Sequence, residues 1–278
     1  MAVIRKPLAP LPDFTPLRFS PELVRILDDV RFGPLSDSDE YAEFCWFLRE
    51  YPRIYRHHFD HAEYRLHSIR SAYEYHHAKA AEKLASEKDP NNFAGSAHYS
   101  RPGQPYATFA IYWDFESFLQ SVGTSLDIAT RVIGTTFRED ISPNFNQFCK
   151  KGPAGRIKDI FLATQSRWVT KMKAYRDCFT HYTPVDTILS VVLKEYSDAW
   201  EVRCKLPVNP ESREILRFRY SRRVELLRYA IRTYKNLVSF DRAVAEEISR
   251  LYRAGEYPKK CTNLFRLGKS RDEEGANG

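Results

Sequence analysis

The sequence predicts a mainly α protein: a helical bundle of long helices with a small β-hairpin insertion and a Pro-rich N-terminal arm. Three observations predict it. Apolar residues recur at steps of three and four through most of the chain, the period of a buried helical face. β-branched and aromatic residues concentrate in one region, about 187–206, the composition of paired strands. Pro7, Pro10, Pro12, Pro16, Pro21 and Pro34 crowd the first 35 residues, which favours an extended arm over a packed helix.

In order, the arm covers 1–35 and a single helical domain 36–267, with a polar, disordered tail at 268–278. Within the arm, Pro21 suits the first position of a short helix reaching Val30. Leu8, Leu11, Phe14, Leu17 and Phe19 suggest that the arm packs on the body. Ser36, Asp37 and Ser38 offer capping side chains before a helix over Tyr41–Tyr51, and Pro52 is expected to break or kink it. A longer helix, about Arg53–Glu87, places Tyr55, His58, Ala62, Leu66, Ile69, Tyr73, His77, Ala80 and Leu84 on one face. It holds six of the eight histidines, and His57 and His61 have the spacing of two metal ligands. No cysteine or carboxylate completes that set, so a partly buried aromatic face is the favoured reading. No metal or other cofactor is expected.

Residues 88–105 read as a loop through Asp89-Pro90-Asn91-Asn92, Gly95, Pro102-Gly103 and Pro105. A helix from about Thr108 to Phe137 follows, with Phe115, Phe118, Leu119, Val122, Leu126, Ala129, Ile133 and Phe137 as its ridge. Residues 138–158 read as a second loop. Its basic end, Lys150, Lys151, Arg156 and Lys158, lacks the G-x-x-x-x-G-K-S/T order of a phosphate loop but offers charges for an RNA backbone. Asp159 to about Tyr182 reads as a long helix burying Phe161, Leu162, Trp168, Val169, Met172, Tyr175 and Phe179. The hairpin follows over about 187–206, then a helical pattern over Arg213–Ala254 ended by Gly255 and Pro258.

The 43 Lys and Arg against 36 Asp and Glu leave a net charge of +7, a mild bias toward anionic partners such as RNA. Cys45, Cys149, Cys178, Cys204 and Cys261 form no C-x-x-C pair, which argues against a zinc site or a disulfide framework and for a reducing compartment. No apolar h-region follows Arg5 and Lys6, and no apolar run is long enough to span a membrane. A soluble, cytoplasmic protein without a membrane partner is expected.

The residues richest in chemistry are Arg176-Asp177-Cys178-Phe179-Thr180-His181. On an ideal helix Arg176 and His181 lie about 140° apart, while Asp177 is one turn before His181 and placed to orient its imidazole. A guanidinium can bind a phosphate and an imidazole can move a proton. An arginine and a histidine at a helix end can equally be a cap or a surface ion pair.

Arg176, Asp177 and His181 match the R-(N/D/H)-x-x-x-H motif, and the chain here resembles the HEPN superfamily, all-helical ribonucleases and nucleotide binders. The stretch Phe115–Asp127 is similar to the companion helix of that fold, so the resemblance covers about 112–184 and the motif core about 108–184. It implies a metal-independent endoribonuclease in which the ribose 2′-hydroxyl attacks the adjacent phosphorus. His181 would be the acid or base, Arg176 would hold the phosphate, and Asp177 would support His181. It also implies a homodimer whose motif helices face each other, and a role as a toxin or within a defence assembly, with an antitoxin or defence-system protein as partner. In the toxins paired with a nucleotidyltransferase antitoxin the motif runs R-x4-H-x-Y. Here Thr183 takes the tyrosine's place. A non-cleaving RNA or nucleotide binder and a helical interaction module are the other readings.

Overall fold

The computed structural model describes residues 7–14, 21–25, 39–86, 107–137, 144–182, 191–196, 199–212, 214 and 217–254. The predicted loop at 88–105, the capping residues 36–38 and the tail lie outside them. The described residues are mainly helical, with one small antiparallel sheet. In order they form α1 (Asp39–Ser86), α2 (Ala107–Phe137), α3 (Phe145–Lys151) and α4 (Arg156–Thr164). A π turn, π1 (Gln165–Val169), leads into α5 (Thr170–Asp177) and a second, π2 (Cys178–Tyr182). Strands β1 (Val191–Tyr196), β2 (Ala199–Pro207) and β3 (Tyr220–Glu225) precede α6 (Leu226–Arg253). The chain divides into two compact units with interleaved segments: Met1–Arg18, Asp60–Val122 and Trp168–Leu237 form the first, and Phe19–Phe59, Gly123–Arg167 and Val238–Gly278 the second.

Three local expectations are corrected. Pro52 does not break its helix: α1 runs through it without interruption. The missing N–H and ring clash cost about 3 kcal/mol, and burial of Pro52, Tyr55 and Phe59 offsets this. The loop expected over 138–158 contains α3, started by Asn144, whose side chain accepts the Gln147 N–H at 3.0 Å. The helix expected from Arg213 begins only at Leu226, because 220–225 is a strand. Asn209 sets that strand's approach: it accepts the Arg219 N–H at 2.8 Å and donates to the Arg217 carbonyl at 3.1 Å. The hairpin is therefore part of a sheet ordered β1-β2-β3. In it Val191 pairs with Cys204 and Tyr196 with Ala199, and the β2–β3 register shifts between Lys205 and Pro207.

In the first unit the arm lies along β2: the Ala9 N–H bonds the Trp200 carbonyl at 2.8 Å, and the Trp200 N–H bonds the Pro7 carbonyl at 2.9 Å. Arg70 of α1 donates to the carbonyl of Phe14, whose ring packs edge-on against Tyr234 at 6.1 Å. Residues 7–14 of the arm pack on this unit, as Leu8, Leu11 and Phe14 suggested, whereas Leu17 and Phe19 lie outside the described residues. The predicted face of α1 is buried at Ala62, Leu66, Ile69, Tyr73 and Ala80. On α2, Phe115 is the centre of an aromatic cluster with Phe179 at 5.4 Å, Tyr229 at 6.1 Å and Tyr175 at 6.5 Å.

The second unit packs Phe161 of α4 against Phe148 at 4.3 Å, Phe145 at 4.9 Å and Phe240 at 5.0 Å. Leu162, expected inside, is 41% exposed. It lies 100° round the α-helix from Phe161, off the buried side. Asp241 of α6, fully buried, holds the short helical turn at 22–25: its carboxylate accepts the Glu22 N–H at 2.7 Å and the Tyr55 hydroxyl at 3.1 Å.

Burial pushes the Asp241 carboxyl up to about 6, against hydrogen bonds from Glu22, Tyr55 and Leu23 that lower it. The folded state therefore binds this proton more tightly than the unfolded chain, whose ordinary value is 3.8. Stability from this group rises as pH falls through 6 and levels off below the unfolded value. Between pH 7 and pH 5 the gain is about 1 kcal/mol. Urea titrations at both pH values are expected to show that gain in wild type relative to Asp241→Asn, and equal pH dependence in the two would contradict it.

Candidate functional site

The motif helix is one continuous helical run from Arg156 to Tyr182, interrupted by the two π turns. The second π turn holds His181. A π turn closes hydrogen bonds from residue i to i+5, so residues five apart come nearly over one another. Arg176 lies in α5 just before this turn, so the wider winding from Cys178 onward makes the angle between Arg176 and His181 smaller than the 140° of an ideal α-helix. Between them Cys178 and Phe179 are buried, and they anchor the turn from within.

Arg176 keeps about a third of its side chain exposed and donates to Asp177 Oδ1 through Nε at 3.0 Å and Nη2 at 2.8 Å. His181 is exposed. Asp177 thus engages Arg176, where the sequence had suggested a role in orienting His181. An ion pair this open to solvent contributes at most about 1 kcal/mol. The guanidinium can exchange its carboxylate for a phosphate at little cost.

The neighbouring helix was only partly legible. α2 meets this end of the motif helix through Phe115, and also through two polar residues that the sequence did not single out. Thr180 Oγ donates to Glu116 at 3.1 Å and accepts from Gln120 Nε2 at 3.4 Å. Their i, i+4 spacing beside an otherwise apolar ridge was the available signal.

The four basic residues belong to the second unit. Lys158 Nζ bonds the Gly152 carbonyl at 2.9 Å, and Arg156 lies 3.5 Å from Glu247. Gly155, at φ 139°, starts α4 in a conformation open essentially to glycine alone. A Cβ on Gly152 would stand 2.5 Å from the Phe148 carbonyl. Lys158 and Arg156 thus brace a tight connection, whereas Lys150 and Lys151 stand exposed at the end of α3.

Two other polar clusters in the first unit invite a catalytic reading. His61 Nδ1 is 2.6 Å from Ser121 Oγ, an apparent nucleophile and base. Arg65 Nε donates to His61 Nε2 at 3.1 Å, which makes Nε2 an acceptor and leaves the proton on Nδ1. His61 therefore donates to Ser121, whose hydroxyl bonds the Ser117 carbonyl at 2.9 Å. It cannot take that serine's proton. The second cluster surrounds Glu225, which accepts the N–H groups of Leu227 at 3.0 Å and Arg228 at 2.9 Å and the hydroxyl of Tyr73. Burial raises its carboxyl above the usual range, opposed by the Tyr73 and backbone hydrogen bonds. The adjoining cleft, lined by residues 9–12, Tyr73, Glu201, Val202, Glu225 and Arg228, is open to solvent and has room for about one water molecule, far below the size of small-molecule sites. Glu225 caps α6, and these bonds account for its position.

Among the described residues no group of three or more His, Cys, Asp or Glu could hold a metal ion, and no helix is long and apolar enough to cross a membrane. No family model, curated protein or solved structure matches the chain. The arrangement itself offers one exposed imidazole and one guanidinium at a π turn, carried on a helix pair.

Proposed function

We propose that the Arg176–His181 end of the motif helix is the cleavage centre of a HEPN-type endoribonuclease that works without a metal ion. The observation that supports this most is the seating of α2 on the motif helix through Phe115 and the Glu116–Thr180–Gln120 bonds, with Arg176 half-buried and His181 open to solvent. Arg176 leaves Asp177 for a phosphate and neutralises charge growing on its non-bridging oxygens. The ribose 2′-oxygen forms a bond to phosphorus as its proton leaves, and the bond to the 5′-oxygen breaks as that oxygen gains one. His181 serves one of these proton transfers. In the homodimer that the resemblance implies, His181 of the second copy serves the other.

An all-ribose oligonucleotide and its all-deoxy counterpart, incubated with the protein in EDTA, test this reading. Cutting of the ribose strand alone is expected, because only it carries the attacking 2′-hydroxyl. Equal cutting of both would overturn it.

A further inference from the structure

We infer that Trp113 is a stacking platform for a nucleobase of single-stranded RNA, beside the proposed cleavage centre. The inference rests on the ribonuclease reading and adds where the strand lies. At 100° per residue, Asp114 and Ser121 lie about 80–100° to one side of Trp113 on α2, and Glu116 about 60° to the other, with Gln120 close to its line. The first side faces α1: Asp114 bonds Arg65 at 2.8 Å, and Ser121 bonds His61 at 2.6 Å. The second side faces the motif helix, where Glu116 and Gln120 meet Thr180.

Trp113 therefore stands on the outward line of α2, between α1 and the motif helix, and is 49% exposed. Tyr64, 62% exposed, flanks the same Arg65–Asp114 bridge, with the Arg65 guanidinium 5.6 Å from its ring centre. Two solvent-exposed aromatic rings with an arginine beside them are the kind of surface on which unpaired bases stack. Trp113 is one helical turn, about 5 Å along the axis, from the Glu116 contact to Thr180. A base stacked on the indole therefore lies beside the contact between α2 and Thr180, the residue before His181. Both local guanidinium groups are paired with carboxylates, Arg65 with Asp114 and Arg176 with Asp177. Stacking on the rings adds to the phosphate contact that Arg176 makes once it leaves Asp177.

The test uses the full chain and a short 2′-O-methyl RNA, which cannot be cut by attack of its own hydroxyl. Trp113→Ala is expected to weaken binding about five- to hundredfold with an unchanged thermal midpoint, and Trp113→Phe to restore most of it. The KM for cleavage of ordinary RNA rises in parallel. Unchanged affinity in Trp113→Ala overturns the inference, as does a wild-type dimer that Trp113→Ala splits with no loss of RNA affinity, which would make this face a protein interface. Trp113-dependent binding by a chain that cuts nothing would sustain the platform and sink the nuclease. Cleavage that needs His181 but ignores Trp113 would do the reverse.

Discussion

Replacing His181 with alanine is expected to slow RNA cleavage by about 10²- to 10⁴-fold, the usual contribution of a positioned acid or base. The fold should not notice. The imidazole is exposed, and the anchors of its π turn are the buried Cys178 and Phe179. Thermal midpoint and RNA affinity should therefore remain near those of wild type while turnover collapses. Arg176→Ala should instead weaken both binding and turnover, because in the proposed reaction the guanidinium meets the phosphate before and during the step. Asp177→Asn removes the negative partner of that guanidinium without removing the guanidinium itself. Unchanged or tighter RNA binding in that variant is the expected result. Cleavage by His181→Ala at wild-type rate would remove the residue from the mechanism.

Glu225→Ala carries the largest expected loss of stability, about 2–4 kcal/mol. Three donors converge on the buried carboxylate: two N–H groups at the start of α6 and the Tyr73 hydroxyl. Alanine leaves all three without that acceptor, the Leu227 N–H and the Tyr73 hydroxyl in buried positions. Tyr73 also accepts the Cys204 N–H at 3.1 Å, so its hydroxyl couples α1 to β2 and to the start of α6. Relief of the cost of burying a charge offsets part of the loss. Glu225→Gln should fall between, since its Oε1 still accepts while its amide group meets the Arg228 N–H donor to donor. Urea denaturation followed by circular dichroism gives the number. A loss below about 1 kcal/mol would mean that the cap is no stronger than a surface contact.

The long helices were readable because their burial repeats: Ala62, Leu66, Ile69, Tyr73 and Ala80 on α1, and Phe115 through Ile133 on α2, are buried as their spacing requires. Elements fixed by a single side chain were not. Asn144 starts α3 and Glu225 starts α6, and each carries its signal in the hydrogen bonds of one side chain rather than in a period. The strand at 220–225 was lost for the same reason: Phe218, Val224 and Leu227 continue a three-to-four spacing that only Asn209 and the edge of β2 override. At the candidate site the sequence supplied Arg176, Asp177 and His181 but not their geometry. A π turn has no residue pattern of its own, yet it alters the angle between Arg176 and His181. Glu116, Gln120 and Trp113 acquire their meaning only from which helix each side of α2 faces, a tertiary fact.

The chemistry of the ends left on cut RNA bears most directly on the central claim. Purified protein in EDTA should leave 2′,3′-cyclic phosphate on one fragment and a free 5′-hydroxyl on the other, and His181→Ala should leave neither. Fragments carrying 5′-phosphate would mean that water rather than the ribose hydroxyl attacks. That result, or intact RNA with wild-type protein, would contradict the assignment of Arg176 and His181 as a metal-independent cleavage centre.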